Sequence, residues 1–547
     1  MIFLLGIYVG LLRAVRRVRL AFDFGGIFMG QFLQSLADIN GKINDFVWVK
    51  VGLILLIGAG IIMTCCTKFF QVSHIGHWWK NTIGGVFKRG SGATKKTDKK
   101  SISQFQALCT ALAATIGTGN IAGVAAAICI GGPGAVFWMW IAAFFGMMTN
   151  FSENVLGIYY RRRNKDGEWS GGAMYYLKDG LGGKKGFKII GKILAVIFAI
   201  CAILASFGIG NMGQVNKITL NVQSAFFKNV EAPQVMGVSV VSIGIGVVLM
   251  IIAGLIIIGG LQRIAAVAER IVPFMAILYV IGALVIVGYN YENLGAMFAS
   301  IFKFAFGVKA VGGAVAGIAI REVITQGFKR GVFSNEAGLG SSVMVHSSSN
   351  VKEPVVQGMW GIFEVFFDTF VVCTITAVVV LSSGYIDLNT GMTVGNVDDA
   401  TLVAQSFRNV FGEMFGEGFG IAGEVFVAVA MLLFAFTTVL GWSQYGSKAV
   451  EYLFGEKAVK VYKVIFVLMI ISGAVMTSSI AWDISDTFNG MMMVPNLIGV
   501  VALCPVVAKI TKNYVSRKIK NKDEKPILSY DADIQAESEE AIANGEN

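Results

Sequence analysis

Three uninterrupted apolar runs constrain this chain more than any other feature. Ile193–Ile209, Met236–Gly259 and Ile271–Gly288 contain no charged residue, and each is close to or beyond the ~20 residues with which an α-helix crosses a ~30 Å hydrocarbon layer. A fourth run, Val47–Thr64, holds only Lys50 near its start. In hydrocarbon every backbone polar group must bond within its own segment, so such runs read as membrane-spanning helices. The composition agrees: 14% of the residues are charged, against roughly 25% in soluble domains. The expected fold class is an all-α polytopic membrane protein.

Candidate spans fall at about 45–67, 104–130, 134–158, 188–222, 236–258, 268–290, 310–345, 356–382, 419–446, 461–480 and 484–510, eleven in all. Loops taken alternately differ sharply in charge. Segments 68–102, 160–190, 259–270, 345–356, 447–463 and 509–527 hold 30 Lys and Arg, whereas 129–136, 226–236, 290–309, 383–418 and 481–486 hold 4. The positive-inside rule predicts that the first set is cytoplasmic, the amino terminus outside and the carboxyl terminus inside. The net charge of +11 therefore reflects topology and not a nucleic-acid surface.

Residues 1–28 break the pattern, since Arg13, Arg16, Arg17 and Arg19 follow a short apolar run. This is the wrong order for a signal peptide, and 1–28 is expected to be an upstream extension with the start at Met29. Beyond it the chain divides into 29–102 (an extra helix and basic loop), 103–290 (first half), 310–512 (second half) and 513–547. The tail from Asn521 to Asn547 is polar, rich in Asp, Glu and Lys, lacks the apolar residues to fold alone and is expected to be disordered. All seven cysteines lie in apolar segments without metal-ligand spacing and read as packing residues.

Two spans are interrupted. Gly117, Thr118, Gly119, Asn120 and Gly123 sit in the middle of one apolar segment, and Phe333, Ser334, Asn335, Glu336, Gly338 and Gly340 in another. Each glycine costs roughly 1 kcal/mol in a helix interior. The same spacing suits a close-packing surface of small residues, but two interrupted segments, each opening one five-helix half, are expected of an inverted-repeat transporter with its site at midplane.

The stretches GTGNIAGVAAAICIGGPGAVFWMW (117–140), GGAMYYLKDGLG (171–182), SFGIGNMGQ (206–214), RGVFSNEAGLGS (330–341) and FTTVLGWSQYG (436–446) resemble motifs of the alanine or glycine:cation symporter family, in family order. The resemblance runs from about Met29 to Asn513. It implies a LeuT-type core of five-plus-five inverted helices preceded by one extra helix, residence in a bacterial plasma membrane, and uptake of alanine or glycine coupled to Na⁺.

The chemistry suits a zwitterion. Backbone N–H groups at Gly119 and Asn120 open a half-helix and favour a carboxylate. Carbonyls near Gly117, Thr118 and Ser334 can accept from an ammonium, and Asn120 can do both. Asn335 and Gly338 belong to the second interrupted segment, and the resemblance adds Gln214. Phe333, Met212 and Trp442 could wall an apolar pocket, although Trp442 also reads as an interfacial anchor, Phe333 as core, and Gln214 as a helix-to-helix contact. Na⁺ is a hard cation suited to neutral oxygens. Thr437 and Thr438 offer adjacent hydroxyls, and the resemblance maps an ion site onto Phe434, Thr437 and Thr438 with Ala113 and Ile116. Threonines in such helices also bond the carbonyl three or four residues back.

Intramembrane acids are functional by default; here they are Glu153, Glu336, Glu364 and Asp368, whose roles the residues alone leave open. Gly418–Gly423 matches G-x-G-x-x-G without a preceding strand, and 161–188 lacks a P-loop GK[ST], so neither nucleotide binding nor an enzyme is expected. His74, His77 and His346 show no metal spacing. No organic cofactor, nucleic acid or obligatory protein partner is expected; the bilayer, Na⁺ and a small amino acid are. The competing classes are a proton-coupled or exchange amino-acid transporter and, more remotely, a channel.

Overall fold

The computed structural model describes residues 34–88, 93–94, 100–227, 233–235, 238–306, 320–395, 401–476 and 480–544. The proposed extension 1–28 and the start of the 310–345 span lie outside them. Among the described residues eight helices are long and apolar enough to cross a membrane, or ten if each of two bent pairs is one span. These are α1 (Gln34–Cys66), the bent pair α2 (Gln104–Thr115) and α3 (Gly119–Gly131), α4 (Gly134–Tyr159), α5 (Lys188–Phe226), α6 (Val240–Ile257) and α7 (Gly260–Tyr289). After α8 (Leu294–Phe306) and α9 (Ile320–Asn335) come the short α10 (Val343–His346) and the span α11 (Pro354–Ser382). Then follow α12 (Leu402–Phe415), α13 (Glu417–Phe454), α14 (Glu456–Val475), the bent pair α15 (Asp483–Ala502) and α16 (Cys504–Ile519), and α17 (Ala532–Ala543). The expected 310–345 span is represented by α9 and a turn, too short to count as a span by itself.

Local sequence explains the boundaries. Ser103 and Gln106 form a reciprocal capping box that starts α2, satisfying two N–H groups that a helix start otherwise orphans. Pro354 opens α11, where its missing N–H costs nothing. Arg162–Arg163 (β1) pairs antiparallel with Trp169–Ser170 (β2) in a hairpin just beyond α4.

Two helices organise the interior. α4 packs against α1, α8, α9 and α11, and α13 against α2, α5, α7, α12 and α14. The bent pair runs between them, with α2 on α13 and α7 and α3 on α4 and α9. Ile251, Leu255, Phe274, Ile277, Ile281 and Leu468 stay exposed on α6, α7 and α14, an outer surface suited to lipid.

Two expectations are corrected. Cys66 and Cys504 are joined as a disulfide, so not all seven cysteines are mere packing residues; the bend between α15 and α16 brings the first residue of α16 against the end of α1. The carboxyl tail is also not disordered over its described length. Asp531 caps α17, and the segment before it bonds back to the end of α4.

Candidate functional site

Both interrupted segments are unwound and buried. α2 and α3 meet at 56°, with Ile116 in an extended conformation (φ −77°, ψ 93°). In a continued helix the Gly117 N–H would bond the Ala113 carbonyl. It bonds Asn120 Oδ1 instead, at 2.9 Å, which releases the Ala113 oxygen from that bond. At the second break α9 stops at Asn335, and Glu336, Gly338 and Gly340 take positive φ (55°, 91° and 71°). Every residue from 334 to 350 is buried, and irregular backbone in such a place is expected only where protein or a cavity satisfies it.

One carboxylate joins the two breaks. Asp368 Oδ1 accepts from Asn120 Nδ2 (2.6 Å), and Oδ2 accepts from Ser334 Oγ (2.9 Å) and Thr369 Oγ1 (3.0 Å). Thr369 Oγ1 in turn accepts from Asn335 Nδ2 at 3.0 Å. Asp368 lies in a π-helical stretch of α11, Phe366–Cys373; π-helical turns of this sort recur at functional sites. Asp368 is 0% exposed.

The hydroxyl pair stands beside the first break. Gly441 packs on Ala114, and one turn earlier Thr438 Oγ1 stands 2.6 Å from where a Cβ on Gly117 would sit. Thr437 Oγ1 and Thr438 Oγ1 both bond the Phe434 carbonyl, at 2.9 and 3.0 Å. Thr438 thus stands against the break, with the Phe434 carbonyl and Thr437 Oγ1 beside it, and Thr437 Oγ1 also reaches Met275 Sδ of α7 at 3.5 Å. The bonds to Phe434 are the back-bonding that threonine makes in any helix, so the cluster fits Na⁺ without requiring it. Gln214 Nε2 bonds the Ile209 carbonyl (3.1 Å), while its Oε1, 3.6 Å from the Gly117 Cβ position, is buried without a hydrogen-bond partner.

Other expected residues divide. Phe333 and Ser334 lie against Gly119, and Thr118 is buried at the bend. Trp442 is buried, not interfacial: it packs on Gly210 and, edge to face, on Tyr445. Gly338 is not brought to the first break. It faces Leu56 and Leu497, and its carbonyl accepts from Asn496 Nδ2 at 2.9 Å. The Met212 backbone packs on Gly473 of α14.

The remaining acids form a buried network. His346 Nδ1 meets Gln357 Nε2 at 2.5 Å, which assigns the ring proton to Nε2, directed at Glu364 Oε2 (2.9 Å). Asn150 Nδ2 also reaches that oxygen, at 3.3 Å. Asn496 links Glu153, Gly338 and Tyr176. Glu336 accepts from Ser341 Oγ at 2.5 Å. Sequence reasoning had no sign of Asn496 as a hub, because its partners lie 320 and 343 residues away.

The profile of the sodium:alanine symporter family matches residues 33–528. The sodium/alanine symporter AgcS of Methanococcus maripaludis is 41% identical over 481 residues, 88% of this chain and 98% of that protein. The Bacillus subtilis amino-acid carrier protein AlsT is 35% identical, with 90% and 94% covered. A Bacillus subtilis protein named as a probable sodium/glutamine symporter, GlnT, is 34% identical, with 90% and 93% covered. A solved manganese transporter of Eremococcus coleocola aligns with a TM-score of 0.42 at 12% identity over 80% of this chain and 84% of that one, a likeness too slight to carry an argument. By profile and by relatives that span it almost whole, the chain belongs to the sodium:alanine symporter family.

Proposed function

We propose that this chain carries a small neutral amino acid, alanine or glycine, inward with Na⁺ by alternating access, across a bacterial plasma membrane with the tail cytoplasmic. The observation that supports it best is the convergence at Gly117 of an unpartnered acceptor, Gln214 Oε1, and an oxygen cluster, Phe434, Thr437 and Thr438. The ammonium is taken by Gln214 Oε1 and the free carbonyls of the breaks, the carboxylate by the N–H groups opening α3. Na⁺ sits between the hydroxyl pair and the end of α2, with the carbonyls of Ala113 and Ile116 completing its shell. Ion occupancy then braces the break against α13 and raises substrate affinity. Phe333 and Trp442 close the apolar side. Names among the relatives include glutamine as well as alanine, so pocket volume around Phe333 and Trp442 decides the substrate.

The driving force is adequate. Moving one charge through about 100 mV supplies ~2.3 kcal/mol, and a tenfold Na⁺ gradient adds about 1.4. Together these support several-hundredfold accumulation. The eleven-span, LeuT-type arrangement belongs to the same proposal, with the two breaks opening its two halves.

The test is alanine and glycine uptake into proteoliposomes with and without a Na⁺ gradient, repeated with Thr437→Val and Thr438→Val combined. Loss of sodium dependence with retained folding is expected; full sodium dependence in the double variant overturns the ion site. A second reading, proton coupling, is favoured by Asp368, a buried carboxylate whose partners Asn120, Ser334 and Thr369 are neutral. Na⁺-independent, pH-driven uptake would select it.

A further inference from the structure

The chain leaving the second break, residues 347–353, is held from several sides. Ile102, just before the cap of α2, pairs with it: the Ile102 N–H bonds the Ser348 carbonyl (3.3 Å), and the Asn350 N–H bonds the Ile102 carbonyl (2.9 Å). Buried Arg161, at the end of α4, donates to the carbonyls of Ser347 (3.2 Å), Ser349 (2.6 Å) and Val351. The two broken segments are therefore zipped together where they reach this face.

The carboxyl tail lies across that zipper. The Tyr530 N–H bonds the Tyr159 carbonyl at 2.9 Å, and the Tyr530 ring packs on Tyr160 with centroids 5.1 Å apart. Glu537 reaches both Arg163 of the hairpin (2.8 Å) and Lys352 of the zipper (3.5 Å). Nearer α16, Arg517 grips Glu353 through two bonds of 2.8 Å. Only Ser538 of α17 is buried, so the helix is held by a few polar contacts and not by an apolar face. Half-exposed ion pairs of this kind each bias a two-state equilibrium by no more than about fivefold. The attachment is thus strong enough to shift an opening and weak enough to be released.

We propose that residues 529–543 are a strap: docked, they hold the pairing of Ile102 with 347–353 closed, and released, they let this face open. Its consequence for transport, the ease with which the site reaches this side, rests on the proposed function, whereas the test below does not.

Hydrogen–deuterium exchange of the full chain in nanodiscs reads the Ile102 and Asn350 amides directly. Glu537→Lys is expected to speed exchange of these two amides two- to fivefold while α4 and α13 keep their protection, and Lys352→Glu in the same chain is expected to restore part of it, since Arg163, the nearer partner, stays unmatched. A chain ending at Lys520 is expected to show the larger effect. Unchanged exchange in both the charge reversal and the shortened chain overturns the proposal. So does faster exchange spread over the whole molecule, which would mark the tail as general packing.

Discussion

Gly117→Ala adds a single methyl where the site is tightest. Gly117 does not have a positive φ, so alanine meets no backbone penalty, and removing a glycine from the unfolded chain favours folding by about 0.4–1 kcal/mol. The methyl would stand 2.6 Å from Thr438 Oγ1 and 3.6 Å from Gln214 Oε1. The second distance is ordinary contact; the first is not. Overpacking costs about 1–3 kcal/mol, and relief comes by turning the Thr438 hydroxyl off the Phe434 carbonyl or by moving α2 away from α13. Both dismantle the oxygen cluster. Fold stability should therefore change by no more than about 2 kcal/mol, while the Na⁺ concentration for half-maximal alanine uptake rises about 5- to 150-fold. Sodium titration of uptake in proteoliposomes, with thermal unfolding of the same preparation, separates the two quantities. A half-saturation within twofold of the parent would refute the reasoning, because it would mean that the hydroxyl pair serves only its helix.

Gln214→Met keeps the volume and removes the unpartnered acceptor; the alanine half-saturation should rise about tenfold with Na⁺ affinity little changed, and an unaltered alanine curve would remove Gln214 from the site. Asp368→Asn keeps the shape of the joint but not its charge. Uptake should fall at least about tenfold in a chain that melts as before, and undiminished uptake would reduce Asp368 to packing. The tail should respond to acid: burial raises the Glu537 carboxyl, but Arg163 and Lys352 together hold it below its ordinary value. The ionised form is the docked one, so this contribution is complete above pH 4.5 and lost as pH falls through the lowered value. Measured against the intrinsic exchange rate at each pH, protection of the Asn350 amide should fall below pH 4.5 in the parent and lose that step in Glu537→Gln.

Eight to ten of the eleven expected spans, and both breaks, were legible because charge-free length and mid-span glycines are local signals. Asn120, Ser334 and the Thr437–Thr438 pair were readable for the same reason: polar atoms are conspicuous in apolar helices. Asp368 was conspicuous too, but that Asn120 and Ser334 share it was not. Asp368 meets Asn120 across 248 residues, from a π-helical stretch that a 3.6-residue period does not reveal. Gly338 was expected at the site as part of the second break, but it is turned to Leu56 of α1 and Leu497 of α15, a placement that spacing within one segment does not show. Met212 lies where α5 widens, at Gly208–Met212, and its backbone rests on Gly473. The cysteine pair, 438 residues apart, and the docked tail depend on where α16 turns, and composition is silent on that.

Glu336 holds a left-handed backbone (φ 55°) in the buried turn of the second break, a conformation that costs a non-glycine residue about 1–2 kcal/mol. Glycine would sit there without strain, yet the chain keeps a carboxylate, bonded to Ser341. Glu336→Gly would relieve the backbone and in the same step leave the Ser341 hydroxyl without its acceptor. Thermal unfolding of Glu336→Gly would read the difference between these two opposing effects.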